Sequence, residues 1–312
     1  MAGSGVRIDM FAWQVVPWQV MRDDVRYLES LDIGTIWIGD RYMMPPSLGG
    51  AVLEAWTILA ALADCTERVR LGTMVSDVSL RHPTMLAKQA ATVDCISEGR
   101  LDLGVGPGDN IQEEIDALGF PSLSPNARVD RLREAVTVID RLLRDQQITY
   151  HGEYYQLNEA PLAPAPIQRP RPPLTVAAQG KNTLRIVADH ADVWVYALWA
   201  KTGEEALENF RVRNQILDEY CISVGRDPGT VERAGFIGWS DCEFPFASRD
   251  AFHEFVGRYQ DAGMQRFVFS FGSPETPSAY SRWIDSGAWV NRERLEAFAA
   301  QAMRDMQKPR DS

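Results

Sequence analysis

The 312-residue sequence predicts an α/β fold, a closed (β/α)8 TIM barrel of parallel strands. Three observations predict it. Short apolar, β-branched runs alternate with longer segments of helical period, the pattern of βαβ units. About eight of each occur, the number a closed barrel needs. Where an open doubly wound sheet would carry a glycine-rich dinucleotide fingerprint after its first strand, the chain has Phe11-Ala12-Trp13-Gln14.

Taken in order, residues 7–12, 35–39, 69–75 and 101–105 read as strands one to four, each short, apolar and followed by Gly, Asp or Ser. Residues 52–63 and 83–96 read as crossover helices, the second with Pro83 in its first turn and Glu98-Gly99 at its end. The clearest helix spans 126–144, where Val129, Leu132, Val136, Ile139 and Leu143 recur at steps of three and four. Residues 148–157 predict a hairpin with His151-Gly152-Glu153 at its turn, and 160–173 is proline-rich. Strand and helix alternation resumes at Leu174 with the same rhythm, so the proline-rich stretch reads as a surface connection within one domain spanning 1–312. Residues 174–177, 192–195, 232–239 and 266–271 read as strands five to eight; 181–188, 203–223, 248–262 and 292–306 read as the remaining helices.

Composition narrows the function. A hydrophobic fraction of 45% and a charged fraction of 24% belong to an ordinary globular protein. A formal net charge of −11 opposes binding to a polyanion, which excludes nucleic acid as the expected partner. The small, polar start has no signal-peptide pattern, and no apolar run approaches a membrane span, so a cytoplasmic location is expected. Cys65, Cys95, Cys221 and Cys242 are far apart and the chain has four histidines, so neither disulfides nor a metal site is expected.

In such a barrel the active site forms at the carboxyl ends of the strands. Those positions hold Trp13, Asp40-Arg41, Val75-Ser76, Gly106 to Asn110, Ala178 to Thr183, Tyr196 to Trp199, Trp239 to Asp241 and Phe271 to Ser273. The set is rich in aromatic residues, Gly and carboxylates and poor in His and Cys, which suits a flat ring cofactor better than a metal. Small residues in Gly104-Val-Gly-Pro-Gly-Asp-Asn110 let a ligand approach the backbone, and Asp109 is placed either as a general acid or as a helix cap. Ala177-Ala-Gln-Gly-Lys-Asn-Thr183 opens a helix with Lys181 beside its amides, a phosphate site or an ordinary capped loop. Asp40 and Arg41 read on their own as an ion pair, and His82 as a capping or packing residue rather than a base.

The runs Glu54-Ala-Trp-Thr57, Thr66-Glu-Arg-Val-Arg-Leu-Gly-Thr-Met-Val75, Arg81-His-Pro83, Lys88-Gln-Ala-Ala-Thr-Val-Asp94 and Ser97-Glu-Gly-Arg-Leu-Asp-Leu-Gly-Val-Gly106 resemble the bacterial luciferase-like family. Trp37-Ile-Gly-Asp40, Tyr150-His-Gly-Glu-Tyr-Tyr155 and Pro173-Leu-Thr-Val-Ala-Ala178 extend the resemblance over most of the chain. It implies a luciferase-like (β/α)8 barrel with an insertion near the mouth, binding the deazaflavin coenzyme F420 or, alternatively, FMN. Carried over by position, Asp40 lies near the cofactor ring, and Met74 and Val75 fall at a strand-three bulge where F420-dependent members often have a non-proline cis peptide. Gly106, Pro107, Gly108 and Asp109 line the ring, and Ala178, Gln179, Gly180 and Lys181 hold the phosphate region.

The Gly104–Asp109 loop is similar to that of F420-dependent methylene-tetrahydromethanopterin reductases. Two positions depart from the family: Arg41 stands where many F420-dependent members have His, and Asp109 where several dehydrogenases have the longer Glu. The expected activity is hydride exchange between F420 and a small organic substrate, with Asp109 or Asp40 managing the proton and Trp13, Trp199 and Trp239 shaping the substrate pocket. The alternatives are a monooxygenase that receives reduced FMN from a separate reductase, and a non-catalytic cofactor-binding protein. A homodimer is expected from the resemblance.

Overall fold

The computed structural model describes residues 5–108 and 111–308. Eight strands close into a parallel barrel: β1 (Arg7–Ala12), β2 (Thr35–Ile38), β3 (Arg70–Thr73), β4 (Leu101–Gly106), β5 (Leu174–Ala177), β6 (Val193–Ala197), β7 (Glu232–Ile237) and β8 (Arg266–Gly272). They pair in that order, and β8 pairs in parallel with β1 from Arg7↔Arg266 to Ala12↔Phe271, which closes the ring. The expected fold class is therefore the observed one.

Alternation along each strand sorts its side chains. On β1, Ile8, Met10 and Ala12 face outward into the core beneath the helices, whereas Phe11 belongs to the interior aromatic cluster. Asp9 points inward too, and accepts from the Trp37 indole at 2.8 Å. On β8, Phe267, Phe269 and Phe271 join the outer core while Val268 lies inside. The same period-two rule thus produces a charged floor at the amino ends of the strands and an aromatic lining at their carboxyl ends.

The floor is a closed ion network. Arg266 is buried, pairs with Asp9, and donates to Asp102 and to the Thr35 hydroxyl, each at 2.8 Å; Arg70 Nε donates to Asp102 at 2.8 Å. Burial opposes ionisation of Asp102, but the Arg266 and Arg70 guanidiniums hold its carboxyl well below the usual carboxylate range.

Helices cover the barrel: α1 (Trp18–Glu29), α2 (Ala55–Cys65), α3 (Pro83–Ile96), α4 (Pro125–Asp145), α5 (Lys181–His190), α6 (Gly203–Ser223) and α7 (Arg249–Asp261), with three short helical pieces from Arg292 to Gln307 closing the chain. Ser124 caps α4 by accepting from the Ala127 amide, and Leu132, Val136, Ile139 and Leu143 are buried as their spacing requires. The sequence pattern predicts no helix between the first two strands. α1 is there, and its Met21, Val25 and Leu28 are buried at steps of four and three. The pattern also predicts that strand three runs on to Val75. β3 ends at Thr73, and the chain re-pairs with β4 only at Ser76–Asp77.

Two further segments shape the mouth. The insertion between β4 and α4 carries a short helix, Gln112–Ala117. The two-stranded hairpin Gln147–His151 and Gln156–Pro161 packs on α4, where Glu134 accepts three amides from its turn, those of Glu153, Tyr154 and Tyr155. The proline-rich stretch beyond it is pinned to the barrel: the Ile167 amide donates to Asp94 at 2.7 Å, and the buried Arg171 pairs with Asp140 and Asp192.

Candidate functional site

A cavity of roughly 670 Å³ opens at the carboxyl ends of the strands. Its size is that of a cofactor-plus-substrate site. Of the residues singled out from sequence, Asp40, Met74, Val75, Pro107, Gly108, Gln179, Gly180, Lys181, Trp13, Trp199 and Trp239 all line it. The Met74–Val75 peptide is cis. Asp109 lies outside the described residues.

Two residues do not line the wall. Ala178 is fully buried and its carbonyl accepts the Trp194 indole N–H at 2.9 Å, so it anchors β5 to β6 instead of facing a ligand. Gly106 stands behind the wall: a Cβ there would come within 2.4 Å of Val75, so the missing side chain lets β4 press against Val75. Trp199 is a rim residue, 44% exposed.

The charged pairs differ from the sequence reading. Asp40 does not pair with Arg41; it is clasped by both terminal nitrogens of Arg81, one of them at 3.0 Å from Oδ1. Arg41 turns to Glu114 on the insertion helix, with Nη2 at 3.0 Å from Oε2. Glu114 Oε1 also accepts the Tyr42 and Met43 amides at 3.0 and 2.9 Å, so one buried carboxylate fixes the loop after β2. Burial pushes the Asp40 carboxyl up from its ordinary range, against the opposing pull of Arg81. His82 caps α3 by accepting from the Thr84 amide, as its position predicted. At α5 the Thr183 hydroxyl folds back to donate to the Gly180 carbonyl at 2.9 Å, so it serves the cap, and Lys181 is left exposed at the helix start.

A third carboxylate was not legible in the sequence. Asp77, 4% exposed, lines the cavity at the re-pairing of the chain with β4, where it stands opposite Gly106. Its Oδ1 accepts the Ser79 amide at 2.6 Å, while its Oδ2 is buried and has no hydrogen-bond partner among the described residues. Burial pushes its pKa up to about 6; the Ser79 hydrogen bonds and Arg131 pull the other way, and Asp40 adds to the rise. A carboxyl poised near neutrality in a cleft has the character of an acid–base group.

Gly108 makes this approach possible. It has φ +80°, and a Cβ on it would sit 2.3 Å from Asp77 Oδ2. Gly108→Ala is therefore expected to cost about 1–2 kcal/mol from the backbone alone and to displace the loop from Asp77. A lower Tm accompanied by an altered titration of Asp77 checks this.

Opposite the α5 side, the mouth is roofed by aromatic rings. Trp13 stacks on Trp289 at 5.2 Å and meets Phe11 at 4.4 Å and Trp239 at 4.5 Å. Trp239 in turn meets Trp283 at 4.7 Å. Tyr280 donates to the Leu48 carbonyl at 3.1 Å and so joins the loop after β2 to that after β8. Among the described residues no group of side chains could hold a metal ion, and no helix is long and apolar enough to cross a membrane.

The family model described as luciferase-like monooxygenase matches residues 8–236, most of the barrel. The chain belongs to the luciferase-like monooxygenase family. An F420-dependent glucose-6-phosphate dehydrogenase of Kineococcus radiotolerans is 27% identical over 281 residues, covering 83% of this chain and 82% of that protein. Among solved structures, an F420-dependent secondary alcohol dehydrogenase in complex with an F420-acetone adduct superposes with a TM-score of 0.74 at 18% identity, over 90% of this chain and 99% of the other. The coenzyme F420 dependent tetrahydromethanopterin reductase of Methanopyrus kandleri does so with a TM-score of 0.71 at 16% identity, over 98% of each. At such identities the structural likeness bears on the luciferase-like fold alone.

Proposed function

We propose that this luciferase-like protein is an oxidoreductase that exchanges a hydride between coenzyme F420 and a small organic substrate. The observation that carries the reading is the division of one cavity into two ends on opposite sides of the barrel. The loop after β5 offers Gly180, beside which a Cβ would meet nothing within 4 Å, and the exposed Lys181. The loops after β1 and β7 offer Trp13 and Trp239. An anionic tail suits the first end, through the cation and the amide-rich start of α5. A flat ring with a small reactant suits the rest.

The residues fit such a group. Val75 is pressed toward the cavity by Gly106, Gly108 keeps the β4 loop within reach of Asp77, and the orphaned Asp77 Oδ2 awaits a partner. When bound, F420 supplies two-electron hydride exchange. Asp77 holds or takes the proton that accompanies the hydride. Asp40, clasped by Arg81, positions the β2 end of the wall, and Asp109 remains a candidate for the same proton. The aromatic roof excludes water from the reacting carbon.

The reading is supported by the relative's dependence on F420 and by the similarity of the Gly104–Asp109 loop to that of F420-dependent reductases. Titration of the purified protein with F420, FMN and reduced FMN at matched salt tests it. Saturable binding of F420, with FMN and reduced FMN at least tenfold weaker, is expected. Preference for reduced FMN would make the protein a two-component monooxygenase served by a separate reductase. The same reading carries a homodimer, which sedimentation of the purified protein checks.

A further inference from the structure

We infer that the substrate is an uncharged alcohol or carbonyl compound with an apolar, ring-sized body, and not a sugar phosphate. Which cofactor trades the hydride with it rests on the reading above; the chemistry of the pocket does not.

A substrate carrying a phosphate needs uncompensated cations where it binds, because a phosphate moved out of water must recover its hydration from charged donors. Among the described residues, the cations lining the cavity are Arg41 and Lys181. Arg41 is already engaged by both oxygens of the buried Glu114. Lys181 stands at the start of α5, across the barrel from the aromatic end. Around that aromatic end the wall is Phe11, Trp13, Met44, Phe236 and Trp239, and the rings behind it are Trp283 and Trp289. Such a wall gains by covering apolar surface and offers too few polar groups for a dianion or for the several hydroxyls of a polyol.

Trp13 brings an indole N–H to this apolar end. Among the described residues, Trp13 Nε1 is buried with no hydrogen-bond partner. A buried indole N–H normally has an acceptor, and three other tryptophans of the cluster find one within the protein: Trp37 on Asp9, Trp283 on Asp241 and Trp289 on the Gly238 carbonyl. A single oxygen on an otherwise apolar ligand completes Trp13. An alcohol or its carbonyl partner meets both demands. In the oxidation direction the alcohol carbon passes a hydride to the deazaflavin and the hydroxyl passes its proton to a carboxylate, leaving the carbonyl compound and the two-electron-reduced cofactor; reduction reverses each transfer.

Calorimetric titration with cyclohexanone, cyclohexanol, methylcyclohexane and glucose 6-phosphate, with and without F420, tests this. Saturable binding of the alcohol and ketone, with glucose 6-phosphate at least 100-fold weaker, is the expected result. Trp13→Phe keeps a ring but removes the donor; it should weaken cyclohexanone at least tenfold and leave methylcyclohexane unchanged. Equal or tighter binding of glucose 6-phosphate overturns the inference, as does binding of none of the four ligands. Equal weakening of ketone and hydrocarbon in Trp13→Phe overturns the role of the indole N–H. Ketone binding that persists while F420 fails to bind would instead count against the cofactor reading alone.

Discussion

Asp77→Asn is expected to lower kcat/KM roughly 10²–10⁴-fold and to abolish the limb of the pH profile centred near pH 6. The substitution keeps the shape of the side chain and the hydrogen bond from the Ser79 amide to Oδ1, so binding of F420 should change little. In the oxidation direction the ionised carboxylate accepts the proton, so wild-type activity rises as pH climbs through about 6. In the reduction direction the protonated acid donates it, and activity falls over the same interval. The groups facing Asp77 are Asp40, which raises its pKa, and Arg131, which lowers it, while Arg81 is committed to Asp40.

A stability measurement separates this from a general loss of structure. The folded-state pKa of Asp77 lies above its unfolded value, so its contribution is fully favourable below the unfolded value and is lost as pH rises through about 6. Above that pH the ionised, buried group costs the native state on the order of 3 kcal/mol. Asp77→Asn should therefore raise the Tm at pH 7–8 and leave it nearly unchanged near pH 4. A variant that loses activity and stability together at pH 8 would contradict the assignment.

Arg266→Met should destabilise the barrel by about 3–5 kcal/mol, a fall in Tm on the order of 10 °C. Arg266 lies at the centre of the floor, buried, against Asp9 and Asp102 and over the Trp37 ring at 4.8 Å. Methionine fills much of the volume but leaves two buried carboxylates short of a partner; Asp102 keeps Arg70 and Arg7, whereas Asp9 keeps only the more distant Arg7 and neutral donors. The Asp102 pKa is depressed in the folded state, so the stabilisation it gives is present above the unfolded carboxylate value and is lost as pH falls through the folded one. The gap between wild type and variant should accordingly be widest near pH 7 and narrow below about pH 4. Thermal melts across that range check it, and a gap that stays constant would place the defect in packing and not in charge.

The contrast between these two carboxylates explains what the sequence could reveal. Strand ends were legible because β-branched runs stop at Gly, Asp or Ser, and the barrel rule then points to the residues beyond them. That reasoning reached Asp40, Val75, Gly108 and Lys181, all on the cavity wall. It missed Asp77 because that residue earns its position only through a re-pairing of the chain with β4 and the close approach of Gly108, neither of which leaves a local pattern. It assigned Asp40 to its neighbour Arg41, whereas the true partner, Arg81, comes from the loop before α3. α1 was passed over even though Met21, Val25 and Leu28 hold a helical period, because Trp18 and Val20 blur its polar face. The aromatic roof was hidden for another reason: Trp13 meets Trp289 from the far end of the chain, and only closure of β8 onto β1 brings them together.

The most direct test of hydride exchange is anaerobic: reduced F420 mixed with the protein and cyclohexanone, followed by the return of the oxidised deazaflavin's absorbance. Oxidation that needs the ketone, proceeds without oxygen and yields one cyclohexanol per cofactor is the predicted result. Oxidation that requires oxygen and is indifferent to the ketone would contradict the account.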